Sequence, residues 1–247
     1  MRRFIFGDIH GQFDGLMQLI DLISPQRGDR FYFLGDLIDR GAKSAEVVSW
    51  VMRYATACLK GNHEQMCVES HNPTQHPLIR QGWLANGGIK TLDSYGDKGI
   101  PSRHLEWMRK LPLYLDLGDI WLVHAGVDPQ KPLNQQTATE FCWIRTPFHN
   151  SHQPFFPDKT IISGHTITFV LPGIASGQVA IGKGWIDIDT GGYHLKSGWL
   201  TALEPASEMV YQVNAFSQAE RILSLNQAAM CVVPERFASL DEWGDLS

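Results

Sequence analysis

The sequence of 247 residues has few cysteines, no long apolar run and no excess of positive charge. Its four cysteines are far apart and form no CxxC pair, so we expect reduced packing residues. No apolar stretch reaches the roughly 18 residues that a membrane helix needs. The basic start at residues 1–3 leads into only a short apolar segment, which predicts no signal peptide. We therefore expect a cytoplasmic protein that does not contact a membrane.

The sequence has too few basic residues to bind nucleic acids non-specifically. Lysine and arginine number 21 against 26 acidic residues, which gives a formal net charge of −5. Binding to DNA or RNA backbones needs a clustered basic face, so we expect no nucleic-acid partner. Linkers and internal repeats are also missing from the sequence. We predict one domain over residues 1–247, with a motif-bearing core at 1–213 and a C-terminal extension at 214–247.

The first sixty residues alternate between strand and helix patterns. The patterns predict strands at 3–6, 29–34 and 55–59, with helices at 13–23 and 44–54 between them. This alternation is typical of a parallel βαβ arrangement. Further along, we predict a hairpin of strands at 113–117 and 120–123, and a helix at 102–109. Residues 128–158 read as a long surface connection with a short helix. Later segments are predicted as strands at 160–163, 178–181, 185–189, 199–204 and 209–213, and as a helix at 215–228.

Five short polar motifs follow predicted strands. They are GDIHG at 7–11, GDLIDRG at 35–41, GNHE at 61–64, HAG at 124–126 and GHT at 164–166. Each places an oxygen ligand or an imidazole beside glycine, which allows sharp turns and close approach of a ligand. Ligands of α/β sheets gather at the carboxyl ends of strands, where these motifs lie. The motifs therefore predict one shared site.

The residue types in the motifs suit divalent metal ions. Asp8 and His10 are two residues apart and can face one ion, and Asp36 can bridge two ions with its two oxygens. The other motifs add an amide oxygen and imidazoles, from Asn62, His124 and His165. Mixed carboxylate and imidazole ligands favour Mn, Fe, Zn or Co. Two such ions about 3.5–4 Å apart can clamp an in-line displacement at phosphorus.

In order and spacing, the five motifs resemble the PPP-type metallophosphoesterases, which include serine/threonine phosphoprotein phosphatases and the phage lambda phosphatase. The sequence looks most similar to a small bacterial branch of that family. Other segments agree with the resemblance, which covers residues 1–213: WLANGG at 83–88, TLDSYG at 91–96, LPL at 111–113, WIR at 143–145, IDTG at 188–191 and LTAL at 200–203. The resemblance implies an α/β fold of four layers, α/β/β/α, in which two sheets form a sandwich with helices outside.

The resemblance also implies roles for individual residues. One metal would be held by Asp8, His10 and Asp36, and the second by Asp36, Asn62, His124 and His165. The ions would be Mn²⁺, with Fe, Zn, Co or Ni as alternatives. A hydroxide bound by both metals would attack phosphorus directly. The remaining roles fall to His63 as general acid, to Asp39 as acceptor of its other ring proton, and to Arg40 and Arg145 as phosphate-binding residues.

Three functions stay open from the sequence. The first is a serine/threonine phosphoprotein phosphatase, which would act on phosphorylated proteins or peptides and on small phosphate esters. The second is a hydrolase of diadenosine tetraphosphate or other nucleotide pyrophosphates. That branch lacks the aspartate before arginine in the second motif and reads GNHD in the third, so Asp39 and Glu64 favour the phosphatase. The third is a non-catalytic scaffold, which the complete set of predicted ligands disfavours.

Other polar residues are assigned supporting or surface roles. We expect Glu64 to support the site without binding metal, and His194 to pack or to lie at the rim. Five histidines outside the motifs are predicted to have surface roles: His71, His76, His104, His149 and His152.

Overall fold

The computed structural model describes residues 1–233 of the chain. The strands are β1 Arg3–Phe6, β2 Arg30–Phe33, β3 Ala57–Cys58, β4 Tyr114–Asp116, β5 Ile120–Val123, β6 Thr160–Ser163, β7 Val179–Gly182, β8 Trp185–Asp187, β9 Trp199–Glu204, β10 Met209–Asn214, β11 Glu220–Ser224 and β12 Ala229–Cys231. The α-helices are α1 Phe13–Ile23, α2 Ser44–Tyr54, α3 Asn62–Ser70, α4 Pro77–Trp83, α5 Ile89–Tyr95, α6 Ser102–Lys110, α7 Ala138–Trp143, α8 Thr146–His149 and α9 Leu225–Ala228.

The strands form two mixed sheets of six within the described residues. The first has the order β11-β10-β9-β1-β2-β3, and the second has the order β12-β7-β8-β6-β5-β4. β1 pairs in parallel with β2, and β2 with β3, which confirms the predicted parallel βαβ start. β4 and β5 form the predicted antiparallel hairpin.

Alternating side chains along the strands divide the core into layers. In β1, Phe4 and Phe6 pack with the apolar faces of α1 and α2, whereas Ile5 packs between the two sheets. In β5, Trp121 points away from the first sheet, toward the cluster that includes residues of α7 and α8. The alternation follows from the two-residue period of a strand. The predicted α/β sandwich, with helices on its outer sides, is confirmed.

The C-terminal extension differs from its prediction. Instead of a helix over 215–228, β11 pairs with β10 at the edge of the first sheet, and only α9 is helical. β12 then pairs with β7 in the second sheet. The helix prediction was wrong because strand pairing with β10 and β7 outweighs local propensity in this segment. The remainder of the extension, 234–247, lies outside the described residues.

The connection at 128–158 was predicted to lie on the surface, but part of it is buried. It contains α7 and α8, and Phe141, Cys142 and Phe148 on these helices belong to the core of the second sheet.

Along the described chain, 1–233, every helix is too short or too polar to span a bilayer. The single-domain prediction and its boundary at 213 stay predictions, although strands on both sides of that boundary share one sheet.

Candidate functional site

Left-handed backbone shapes the two loops that follow β1 and β2. Four non-glycine residues there have φ between 45° and 71°, a conformation that costs roughly 1–3 kcal/mol each: His10, Asp36, Asp39 and Arg40. The loops pack so closely that a Cβ atom on Gly11 would lie 2.7 Å from the Gly41 carbonyl oxygen. The glycines of both motifs are therefore required for the loops to meet.

The Asp36 carboxylate lies between two sets of imidazoles. Its Oδ2 is 3.6 Å from His10 Nε2 and 3.9 Å from His63 Nε2, and its Oδ1 is 3.4 Å from His124 Nε2. Asp36 belongs to two groups of potential metal ligands. The first group is His10, Asp36 and His63, and the second group is Asp36, His124 and His165. Within each group, the potential ligand atoms lie within 4.8 Å of one another. The arrangement suits a carboxylate that bridges two cations.

Hydrogen bonds fix which nitrogen of each imidazole can bind a metal. The Nδ1 atoms of His10 and His124 donate to the carbonyl oxygens of Ile38 and Leu34, at 2.8 and 3.0 Å. The lone pair therefore resides on Nε2, the atom that faces Asp36 in both residues. Burial lowers the pKa of both imidazoles below the ordinary value, which favours the neutral form that binds metals.

The second group includes an unpartnered buried nitrogen. Asn62 Oδ1 is 2.9 Å from both His124 Nε2 and His165 Nδ1. His165 Nε2 is buried and has no hydrogen-bond partner in the structure. The other ring nitrogen, Nδ1, is the atom that lies beside Asn62 Oδ1. Together with His124 Nε2, these atoms form a donor set that fits a divalent cation.

Asp8 adds a further buried carboxylate. Its Oδ1 accepts the His165 backbone N–H at 3.1 Å, and its Oδ2 lies 3.9 Å from His10 Nε2. Burial, together with the charges of Asp189 and Asp36, raises the pKa of Asp8 well above its ordinary range. Several carboxylates so close together repel one another, and a bound cation would relieve that repulsion.

His63 and Asp39 form a tight buried pair. His63 Nδ1 donates to Asp39 Oδ2 at 2.6 Å, which leaves Nε2 as the atom that faces Asp36 and the interior of the site. Trp83 and Thr91 also donate to the Asp39 carboxylate. Both belong to segments quoted for the resemblance, but sequence reasoning assigned them no role. The sequence carries only a weak signal for Trp83: a buried indole N–H needs a hydrogen-bond acceptor, but the sequence does not show which residue provides it.

Arg40 is held against an aromatic ring. Its guanidinium lies 4.2 Å from the centroid of Tyr193, and its Nη1 is 3.4 Å from His10 Nε2. The Tyr193 ring also meets the His10 ring edge-on, at 4.6 Å between centroids. Burial raises the pKa of Tyr193 to about 12, so it stays a neutral phenol. Sequence reasoning missed Tyr193, which lies just after the IDTG segment.

Arg145 reaches the same site from the second sheet. Its Nη1 donates to the His165 carbonyl oxygen at 3.4 Å and to Thr166 Oγ1 at 3.3 Å. Its own carbonyl oxygen is 3.0 Å from His149 Nδ1, and His149 Nε2 is 2.9 Å from Asp187 Oδ2.

The predicted surface role of His149 was wrong, since the residue is buried. The same correction applies to His104, which is also buried and hydrogen-bonds with Tyr95. The local sequence does not show the partner that makes burial of His149 tolerable, because Asp187 lies 38 residues away.

Glu64 supports the loops around the site. Its carboxylate accepts the backbone N–H groups of Asp36, Leu37 and Gly61, at 2.8 to 2.9 Å. This geometry agrees with the supporting role proposed from the sequence. The structure thus brings all ten predicted site residues together, while their individual roles stay predictions: Asp8, His10, Asp36, Asp39, Arg40, Asn62, His63, His124, Arg145 and His165.

Comparisons with known proteins identify a family for the chain. A family model described as calcineurin-like phosphoesterase matches residues 1–182. A symmetrical bis(5′-nucleosyl)-tetraphosphatase of Methylobacillus flagellatus is 31% identical over 135 residues, which are 53% of this chain and 45% of that protein. The chain therefore matches about half the length of this relative.

Solved structures support the fold across a wider span. One described as a candidate diadenosine tetraphosphatase has a TM-score of 0.62 and 20% identity, and the match covers 90% of this chain and 92% of that one. A protein serine/threonine phosphatase of Saccharomyces cerevisiae has a TM-score of 0.57 and 16% identity, covering 83% and 73%. At these identities the likeness concerns the fold alone. Hydrolases of different substrates thus share this architecture.

Proposed function

The chain belongs to the calcineurin-like phosphoesterase family, and we propose that this hydrolase is a phosphomonoesterase that acts on phosphoserine or phosphothreonine in proteins. The buried pair of His63 and Asp39 carries the proposal. It supplies a proton donor with a fixed orientation, 2.6 Å from its carboxylate partner. Phosphorylated proteins or peptides would be the substrates, with small phosphate esters as accessory ones.

The leaving group explains why this pair favours a phosphomonoester. The pKa of an alcohol is close to the roughly 15.7 of water, so an alkoxide leaves slowly unless it is protonated. A nucleoside diphosphate leaves as a stable anion, because the second pKa of a phosphate is about 6. A positioned general acid accelerates the first reaction far more than the second.

Each predicted residue has a part in this reaction. Divalent ions would be held by Asp8, His10, Asp36, Asn62, His124 and His165. When bound, such ions stabilise charge on phosphoryl oxygens and lower the pKa of water toward neutrality. Arg40 and Arg145 would bind the phosphoryl oxygens through their planar guanidinium groups. His63 Nε2 would give its proton to the leaving oxygen, while Asp39 stabilises the charged imidazole.

A symmetrical dinucleoside tetraphosphatase is the second candidate. The name of the M. flagellatus relative favours this candidate over the phosphoprotein phosphatase. Its match covers less than half of that relative. Asp39 disfavours this candidate, since the resemblance implies that the dinucleoside tetraphosphatase branch lacks an aspartate at this position. In this chain Asp39 is present and contacts His63. The two candidates share the metal site and differ in the need for an acid.

A direct comparison of substrates tests the proposal. The chain is stripped of metal, Mn²⁺ is restored, and a phosphothreonine peptide and diadenosine tetraphosphate are assayed in parallel. We expect faster release of phosphate from the peptide, and a loss of about 10²- to 10⁴-fold in the His63→Asn variant.

The control is His104→Asn, a change at a buried histidine that hydrogen-bonds with Tyr95. It should retain peptide hydrolysis. Faster cleavage of the dinucleotide, with little effect of His63→Asn, would overturn the proposal in favour of the second candidate. Inactivity on both substrates with metal bound would support the scaffold.

A further inference from the structure

We infer that Trp83 is a positioning residue for the acid pair and that it sets how well the enzyme hydrolyses esters with poor leaving groups. The inference rests on the proposed function, since it concerns the proton that His63 would deliver. Trp83 touches neither the metal ligands nor the substrate-binding arginines through its indole nitrogen. It acts through Asp39, the residue that orients His63.

The indole N–H of Trp83 forms a bifurcated hydrogen bond with both carboxylate oxygens of Asp39. Nε1 lies 3.2 Å from Oδ1 and 3.0 Å from Oδ2, and both side chains are fully buried. An indole has one donor and no acceptor, so its hydrogen must point at this carboxylate. The interaction is charge-assisted when Asp39 is ionised, which makes it stronger than a neutral hydrogen bond.

The other donors each bind one oxygen of Asp39. Thr91 Oγ1 donates to Oδ1 at 2.6 Å, and His63 Nδ1 donates to Oδ2 at 2.6 Å. Thr91 in turn accepts the Asp39 backbone N–H at 2.8 Å. Trp83 is the donor that spans both oxygens. The terminal torsion of a carboxylate is soft, so removal of the spanning donor should let the Asp39 carboxylate rotate and loosen His63.

The segment that carries Trp83 also holds the neighbouring arginine. A kink at Leu84–Gly88 follows the tryptophan, with φ of 105° at Gly87, and the Gly87 carbonyl accepts the Arg40 backbone N–H at 3.3 Å. A Cβ atom on Gly88 would lie 2.5 Å from the indole ring, so this glycine lets the ring lie flat against the chain. The segment therefore positions Asp39 and Arg40 together.

Trp83 also belongs to the apolar core of the first sheet. A loss of activity alone would therefore not separate positioning from stability. The ratio of activities on two esters does separate them, because a partly unfolded sample loses both activities equally. p-Nitrophenyl phosphate has a good leaving group, and phenyl phosphate has a poor one.

The experiment measures kcat on both esters for the Mn²⁺-loaded wild type and for Trp83→Phe. We expect a loss of about 10- to 100-fold on phenyl phosphate, the range typical of residues that orient active groups, with p-nitrophenyl phosphate little changed. Trp121→Phe is the matched control, since Trp121 is a fully buried tryptophan in the other sheet. It should leave the ratio of the two activities unchanged.

Two further variants keep the test decisive. If Trp83→Phe fails to fold, a tryptophan analogue with sulfur in place of the N–H, inserted at position 83 alone, keeps the ring shape. In an Asp39→Asn background, removal of the Trp83 donor should add little, because both changes act on one group.

The possible failures are distinguishable. Equal losses on both esters for Trp83→Phe, with a changed ratio for His63→Asn, would overturn this inference and leave the proposed function intact. An unchanged ratio for His63→Asn would overturn the proposed function itself.

Discussion

The two halves of the site are supported in different ways. The first half-site follows strands of the first sheet and comprises Asp8, His10, Asp36, Asp39, Arg40, Asn62 and His63. The second half-site comes from the second sheet and its connections and comprises His124, Arg145 and His165. In the first half-site, four residues have left-handed backbone and glycines let the loops meet. In the second half-site, one residue, His165, has such backbone.

The second half-site depends on contacts between distant residues. Arg145 follows α7, and its carbonyl oxygen is tied through His149 to Asp187 on β8. His124 is fixed by a carbonyl oxygen 90 residues earlier in the chain, that of Leu34. Left-handed backbone within short motifs therefore shapes the first half, whereas hydrogen bonds from other elements hold the second half in place. The following predictions test that difference.

The largest effect is expected from the residue that both halves share. Asp36→Asn removes the charge that faces His10 on one side and His124 on the other. We expect a loss of bound metal from both halves and a fall in turnover of about 10³-fold, since stabilisation of charge at phosphorus is lost. Metal content by mass spectrometry, measured beside the phosphatase assay, checks this. Retention of two metal ions per chain would contradict the shared role.

A smaller effect is expected from a change at His149, which links Arg145 to Asp187 in the second half-site. His149→Phe removes both hydrogen bonds of the buried ring, and Arg145 then loses its link to Asp187. We expect a rise in KM of about 10-fold with kcat little changed, because this arginine is proposed to bind the phosphoryl group.

Steady-state kinetics and inhibition by inorganic phosphate measure the effect of this change. His104→Phe is the matched control at a buried histidine outside the site. In an Arg145→Ala background, His149→Phe should raise KM no further. Full additivity of the two changes would show that His149 affects KM independently of Arg145.

The smallest effect concerns the helix that leads to Arg145. Glu140 on α7 forms a capping box with Thr137 and an ion pair with Lys131. The Lys131 contact, followed by the Thr137 bonds, lowers the pKa of Glu140 to about 2. Glu140→Gln keeps an amide that can complete the capping box but removes the charge that pairs with Lys131, so it should lower the free energy of unfolding by about 0.5–1 kcal/mol at pH 7.

This difference should depend on pH. The pKa of Glu140 is below the roughly 4.3 of an unfolded glutamate, so the stabilisation is present above that pH. It is lost as the pH falls toward about 2. Urea unfolding of wild type and Glu140→Gln across this range measures the gap. A gap that stays constant with pH would show that the charge of Glu140 contributes nothing.

The same comparison explains what could be predicted from the sequence. The periodic patterns of α1 and α2 and the motifs after β1 and β2 are local, so sequence reasoning located the first half-site in detail. It failed at β11, where a segment with helical spacing pairs with β10 instead. It also failed at His149, whose burial depends on Asp187 and cannot be read from neighbouring residues.

The central claim is that His63, oriented by Asp39, protonates the leaving group. The most direct measurement is a series of aryl phosphates with phenols of increasing pKa, assayed with Mn²⁺-loaded wild type and His63→Asn. We expect wild-type rates to depend weakly on the pKa of the phenol, while rates of the variant fall steeply as that pKa rises. The same dependence in both proteins would show that His63 does not protonate the leaving group.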